Sequence, residues 1–292
     1  MKKFLFSSFL ILFLGSAFGQ TNSPNNAILW KVSGKGLSHP SYLFGTYHII
    51  SSAFVDTVPA IMNAFNDAEL VAGELLLDST IQAPIMEASV LRGTTLHEIL
   101  PDSVYQKAKG WFMDEAGFDI MGLDNLNPIT IMTVCMGVVQ QKYFPNPEGT
   151  VEMDLYFQDR AKTEGKKVIG LESIDVQVNA LFKQISLERQ VEIMTQTFYD
   201  TLDMKEGITI MNKAYLKQDL NKLQSLMYGT TYKPEEMKIL LDDRNIAWAA
   251  QLPALMKKQP VFVAVGALHL AGDTGLVKLL REMGYEVTAI NF

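Results

Sequence analysis

Two short stretches share one pattern: Gly45-Thr46-Tyr47-His48 and Gly266-Ala267-Leu268-His269 each put a histidine three residues after a glycine, behind an apolar run. The chain has only four histidines in 292 residues, so this pairing uses half of them. Two imidazoles joined by carboxylates form a borderline-hard donor set suited to divalent Zn, Mn, Fe or Co. Such an ion lowers the pKa of bound water and polarises a carbonyl. Glu74 stands inside the apolar run of "LVAGELLLD", where an unpaired carboxylate is costly to bury. Glu172 follows "KKVIGL" and either takes part in the chemistry, closes a strand or pairs with Arg244. His39, in a turn before Pro40, and His97, at a helix start, read as surface residues.

The elements that must position these groups follow from hydrophobic pattern and turn residues. Strands are expected at 28–32, 41–45, 70–77, 167–171, 261–265 and 286–292, with a helix at 59–67 carrying Pro59 in its first turn. Asp56 or Thr57 is expected to cap that helix, and Asp102 to cap the one after Pro101. Residues 95–142 and 175–258 read as helix after helix, including a buried one over "NPITIMTVCMGVVQQKYF". The fold class is therefore α/β: central β-sheets built from both ends of the chain, flanked by helices, with a long helical middle section. His48, Glu172 and His269 then fall at or just beyond strand C-terminal ends, where open α/β sheets gather their sites. Neighbouring strand ends lie only about 4.8 Å apart. Gly45 and Gly266 are expected to supply backbone angles other residues resist, or to let a ligand approach the backbone.

Composition narrows the function classes. The first residues, "MKKFLFSSFLILFLGSAFGQ", read as a secretory signal ending at Gly19, leaving residues 20–292 as a single domain, periplasmic or secreted. Only an uncleaved signal segment would tie the chain to a membrane. Removing Lys2 and Lys3 takes the formal charge from −7 to −9, and no block of Lys or Arg exists, which argues against nucleic acid as a partner. The single Cys135 lies in an apolar stretch and reads as an inert buried thiol. H-E-x-x-H, G-x-S-x-G and P-loop motifs are all missing, so zincin, serine-hydrolase and nucleotide-binding readings lack support.

Taken together, the two G-x-x-H motifs, "GELLLD", "VIGLES" and "LLDDRNIAW" resemble the TraB/GumN family, over nearly all of residues 27–292. That family is similar to the Tiki metalloproteases and more remotely to erythromycin esterases. The resemblance implies β-sheets wrapped by helices, a site between the two chain ends, and an Mn- or Co-dependent protease activity, with Zn still open. By position it implies His48, Glu74 and His269 as metal ligands and Arg244-Asn245 as the family's Arg-Asn pair. Asp154 falls where the family tends to carry an acid. The mechanism expected is a metal- or His/Glu-held water, deprotonated by Glu74 or Glu172, with Arg244 stabilising the oxyanion. Two alternatives stay open: a metal-independent, esterase-like hydrolase, and a non-catalytic binding protein using the same pocket. The peptide or small-molecule substrate is not named by the sequence.

Overall fold

A computed structural model describes residues 26–199, 204–227 and 232–292; the expected signal segment lies outside the described residues. Its centre is a six-stranded mixed sheet made of β1 (Leu29–Ser33), β2 (Ser41–Thr46), β3 (Leu70–Gly73), β4 (Lys167–Gly170), β5 (Val261–Gly266) and β6 (Glu286–Ala289). The order is β4-β3-β5-β2-β1-β6, so strands from both chain ends interleave. β2, β5, β3 and β4 run parallel, and β1 is antiparallel to both β2 and β6. The β1–β2 hairpin turns through Gly34, Lys35 and Gly36, all with positive φ, as the glycine-rich sequence demands.

The parallel strands are apolar on both faces because helices cover both. Phe157, from the helix Met153–Thr163, packs against Phe44 and Phe262 with centroids 5.4 and 4.9 Å apart. Phe65, from the helix Pro59–Asp67, closes the same cluster. Middle helices Asp102–Ala116, Pro128–Tyr143 and Leu187–Tyr199 build a second apolar cluster that contains Cys135. Burial pushes the Cys135 thiol up to about 12, which fits an inert role.

Several boundaries differ from the sequence reading. β3 stops at Gly73, so Glu74 begins a loop instead of lying within a strand. Leu75 is still buried, which explains why the apolar run outlasts the strand. Helix Pro59–Asp67 starts from Val58 with no side-chain cap, and a short helix Ser52–Asp56 precedes it. Asp102 is the first residue of its helix, not its cap. β6 is shorter than expected and ends at Ala289.

Candidate functional site

The two motif histidines start from adjacent parallel strands. In the β2–β5 register Gly45 faces Val265 and Thr46 faces Gly266, so the motifs lie side by side, offset by one residue. Neither motif glycine has a positive φ. The reason for glycine is space: a Cβ at Gly45 would sit 2.8 Å from Ala267 Cα, and one at Gly266 only 3.3 Å from Glu74 Oε1. The Gly266 N–H donates to that same oxygen at 2.9 Å.

From here the two histidines part. His269 is buried in a short 3₁₀ turn, Ala267–Leu270, and faces the helix Asp243–Met256. A π-turn at Lys238–Asp242 leads into that helix, and Arg244 Nη1 donates back to Leu240 O at 2.9 Å. Arg244 carries five N–H groups, and every one is taken. Nη1 also reaches His269 Nε2 at 3.2 Å. Nη2 donates to Glu74 Oε2 and to Glu172 Oε1, both at 2.7 Å, and Nε donates to Glu172. Since Arg has no acceptor, His269 Nε2 must accept, and Nδ1–H then donates to Asn245 Oδ1 at 2.6 Å. Trp248 Nε1 donates to Glu172 Oε2, and its ring lies 4.4 Å from the His269 ring.

These pairings set the charges. Burial raises the Glu74 carboxyl, but His269, Arg244 and the Gly266 N–H outweigh it and bring the pKa down to about 2. Burial, aided by the Arg244 charge and opposed by Glu74, drops His269 to about 4, so its imidazole is neutral at pH 7. Arg244 is held charged because its hydrogen bonds and attraction to Glu172 and Glu74 overcome burial.

His48 turns the other way, with a side chain two-thirds exposed. Its Nδ1 lies 3.6 Å from Glu152 Oε2 and 3.6 Å from Asp154 Oδ2, at ion-pair distance. An isolated bridge between Ser51 and Glu152, with Ser52 N–H donating to Val151 O, pins that helix start beside the His48 turn. The hydrogen-bonding reach of Glu152, followed by the charges of Asp154 and Glu74, lifts His48 to about 9. Asp154 goes up to about 6, chiefly through burial, with Glu74 and Glu152 adding to it and His48 and Thr46 opposing. The Glu74 charge is thus felt by both His48 and Asp154.

The structure therefore brings Glu74, Glu172, Arg244, Asn245 and His269 together in direct contact, and groups His48 separately with Asp154 and Glu152. Trp248 was not singled out in the sequence, although it stands one helical turn after Arg244 on the same face. Gln177, which donates to Glu74 Oε2 at 3.2 Å, gave no sequence signal. His39 and His97 are exposed, and His97 stacks on Tyr105.

Imidazole and carboxylate donors are chemically right for a divalent ion, but their arrangement here does not fit one. The His269 Nε2 lone pair and Glu74 Oε2 both accept from Arg244, Glu74 Oε1 accepts from Gly266, and a guanidinium cation sits between them. His48 is turned toward Glu152 and Asp154. Among the described residues no three His, Cys, Asp or Glu side chains are grouped to hold one ion.

Comparison with known proteins places the chain beside animal enzymes. It is 23% identical to metalloprotease TIKI2 of Danio rerio over 90% of this chain and 60% of that protein. It is 24% identical to metalloprotease TIKI2 of Xenopus tropicalis over 90% of this chain and 59% of that one. For metalloprotease TIKI1 of Danio rerio the figures are 23%, 92% and 64%. The chain thus spans about three fifths of the length of these relatives. No solved structure matches it. Among the described residues no helix is long and apolar enough to cross a membrane. The TraB/PrgY/gumN family model matches residues 28–289, and with it the paired motifs, the buried acid and the Arg-Asn helix: the chain belongs to the TraB/PrgY/gumN family.

Proposed function

We propose that this protein is a hydrolase of the cell envelope, a peptidase by preference, that attacks a carbonyl with water activated in the cleft between His48 and the Glu74–Arg244–His269 wall. The observation carrying this is the pairing of opposites in two side-chain groups linked by the Glu74 charge. A buried carboxylate held ionised and a neutral imidazole stand on one side. A cationic imidazole and a carboxyl titrating near neutrality stand on the other. Groups with pKa values pushed apart in one cleft are the usual mark of acid–base chemistry. The metalloprotease relatives support the peptidase choice, and the expected signal segment supports the envelope.

The name of those relatives brings a divalent metal with it, and Mn or Co remains the ion to test first. The side chains do the following. Glu172 and Trp248 fix Arg244, Arg244 fixes Glu74 and His269, and Asn245 fixes the His269 tautomer. With all five N–H groups engaged, Arg244 acts on a developing oxyanion through its positive potential, not through a direct hydrogen bond. His48, exposed and cationic, is the group free to meet the substrate.

A second reading, hydrolysis without a metal, is favoured by Arg244 filling the space between Glu74 and His269. One experiment separates the readings. The mature protein is assayed on fluorescein-labelled casein and on p-nitrophenyl acetate, after exhaustive chelation and after return of Mn, Co or Zn. Turnover that requires a returned ion supports the metallopeptidase. Turnover that survives chelation supports the second reading. Absence of turnover on either probe, in every metal condition, defeats both and leaves a binding protein. In the first two cases His48→Ala and Glu74→Ala abolish activity.

A further inference from the structure

Each acid near the cleft has an inventory of partners, and one of them has an oxygen to spare. Both Glu74 oxygens and both Glu172 oxygens accept hydrogen bonds. Glu152 is largely in solvent. Asp154 Oδ1 accepts from Thr46 Oγ1 at 3.0 Å. Asp154 Oδ2 is buried and has no hydrogen-bond partner among the described residues. Buried carboxylate oxygens are rarely left so, because each costs the full desolvation of an acceptor. Tyr47 Oη, inside the first motif, is a second buried oxygen without a partner. Both flank Tyr215, which is buried, stacks on Tyr47 at 5.1 Å and donates to Gly45 O.

We propose that Asp154 is the general base of this site: its free Oδ2 takes the proton of the attacking water, with Thr46 locking the other oxygen and His48 facing it at 3.6 Å. The inference rests on the hydrolase reading and names the acid–base residue that reading leaves open. The proton balance is simple. A water O–H bond breaks toward Asp154 while the water oxygen bonds to the carbonyl carbon and the C=O pair moves onto oxygen. On collapse that pair returns, the C–N or C–O pair leaves with the departing atom, and the same proton passes from Asp154 to it. The titratable and charged groups acting on Asp154 are His48, Glu152, Glu74 and Tyr215.

The test uses Asp154→Asn and Asp154→Ala in the mature protein with the two probes named above. A lost general base lowers kcat by on the order of 10²–10⁴ with little change in KM. Formate or azide added to Asp154→Ala restores part of the turnover, which a merely structural residue would not allow. The Tm of Asp154→Asn stays at or above that of the wild type, because a buried charge with an unpaired oxygen has been removed. Wild-type turnover that survives in Asp154→Asn within about fivefold overturns the inference while leaving the hydrolase reading intact, as does lost turnover with a lowered Tm and no rescue. A wild type inert toward both probes removes the hydrolase reading and this inference with it.

Discussion

Arg244→Met removes the charge at the heart of the site while keeping a flexible apolar stem of similar reach. In the wild type its side chain is 6% exposed, Glu172 4% and Glu74 19%, so no solvent compensates the loss. Breaking a buried ion pair from one side costs about 3–5 kcal/mol, because the remaining charge is stranded. Here two carboxylates are stranded, and Leu240 O and His269 Nε2 lose donors worth roughly 1 kcal/mol each. The total, about 5–7 kcal/mol, rivals the whole stability of a typical domain of about 5–15 kcal/mol. Urea unfolding followed by circular dichroism at pH 7.5 and pH 5 reads it directly. The variant should be barely folded at pH 7.5 and partly recovered at pH 5, where Glu74, freed of the Arg244 charge that holds its pKa down, begins to take up a proton. The triple variant Glu74→Gln/Glu172→Gln/Arg244→Met, with no buried charge left, should regain at least half of the loss. A loss under about 2 kcal/mol at pH 7.5, or a triple variant no better than the single, would refute the view that this cluster is held by its charges.

Acid titration gives a second prediction. Unfolded His269 takes a proton near 6.5 but folded His269 only near 4, so its contribution of about 3 kcal/mol is present above 6.5 and lost as pH falls to 4. Asp154 works in reverse: raised to about 6 from 3.8, it returns a similar amount over nearly the same interval. Wild-type stability should therefore be nearly flat between pH 6.5 and 4, then fall toward pH 2 as the coupled Glu74–His269 pair takes up protons. Asp154→Asn removes the compensation and should slope downward from pH 6.5; a flat curve for the variant would contradict these assignments. A third prediction concerns Gly45→Ala, whose new Cβ meets Ala267 backbone at 2.8 Å and Leu270 Cδ1 at 3.2 Å. Prising β2 from the turn after β5 should cost about 1–3 kcal/mol in urea unfolding; an unchanged midpoint would show that the motif glycine is not there for space.

The pairing of the chain ends was legible because it is written locally. Each G-x-x-H follows an apolar run, and two parallel strands in register bring such motifs together whatever the middle of the chain does. What Arg244 does was not legible, although Arg-Asn stood in plain view. Its partners lie 25, 72 and 170 residues away, and only the closed fold counts its five donors and finds none left over. That count changes the chemistry. An arginine with a spare N–H would bind an oxyanion, whereas this one spends all five on fixing Glu74, Glu172 and His269. The same bookkeeping moves attention to Asp154, the acid the sequence marked most faintly. Thr46 occupies its Oδ1, while Oδ2 accepts no hydrogen bond among the described residues and has only His48 at ion-pair distance. Under the proposed mechanism, then, the well-satisfied charged groups form the scaffold of the site, and the reactive positions are His48 and Asp154, whose Oδ2 accepts no hydrogen bond among the described residues.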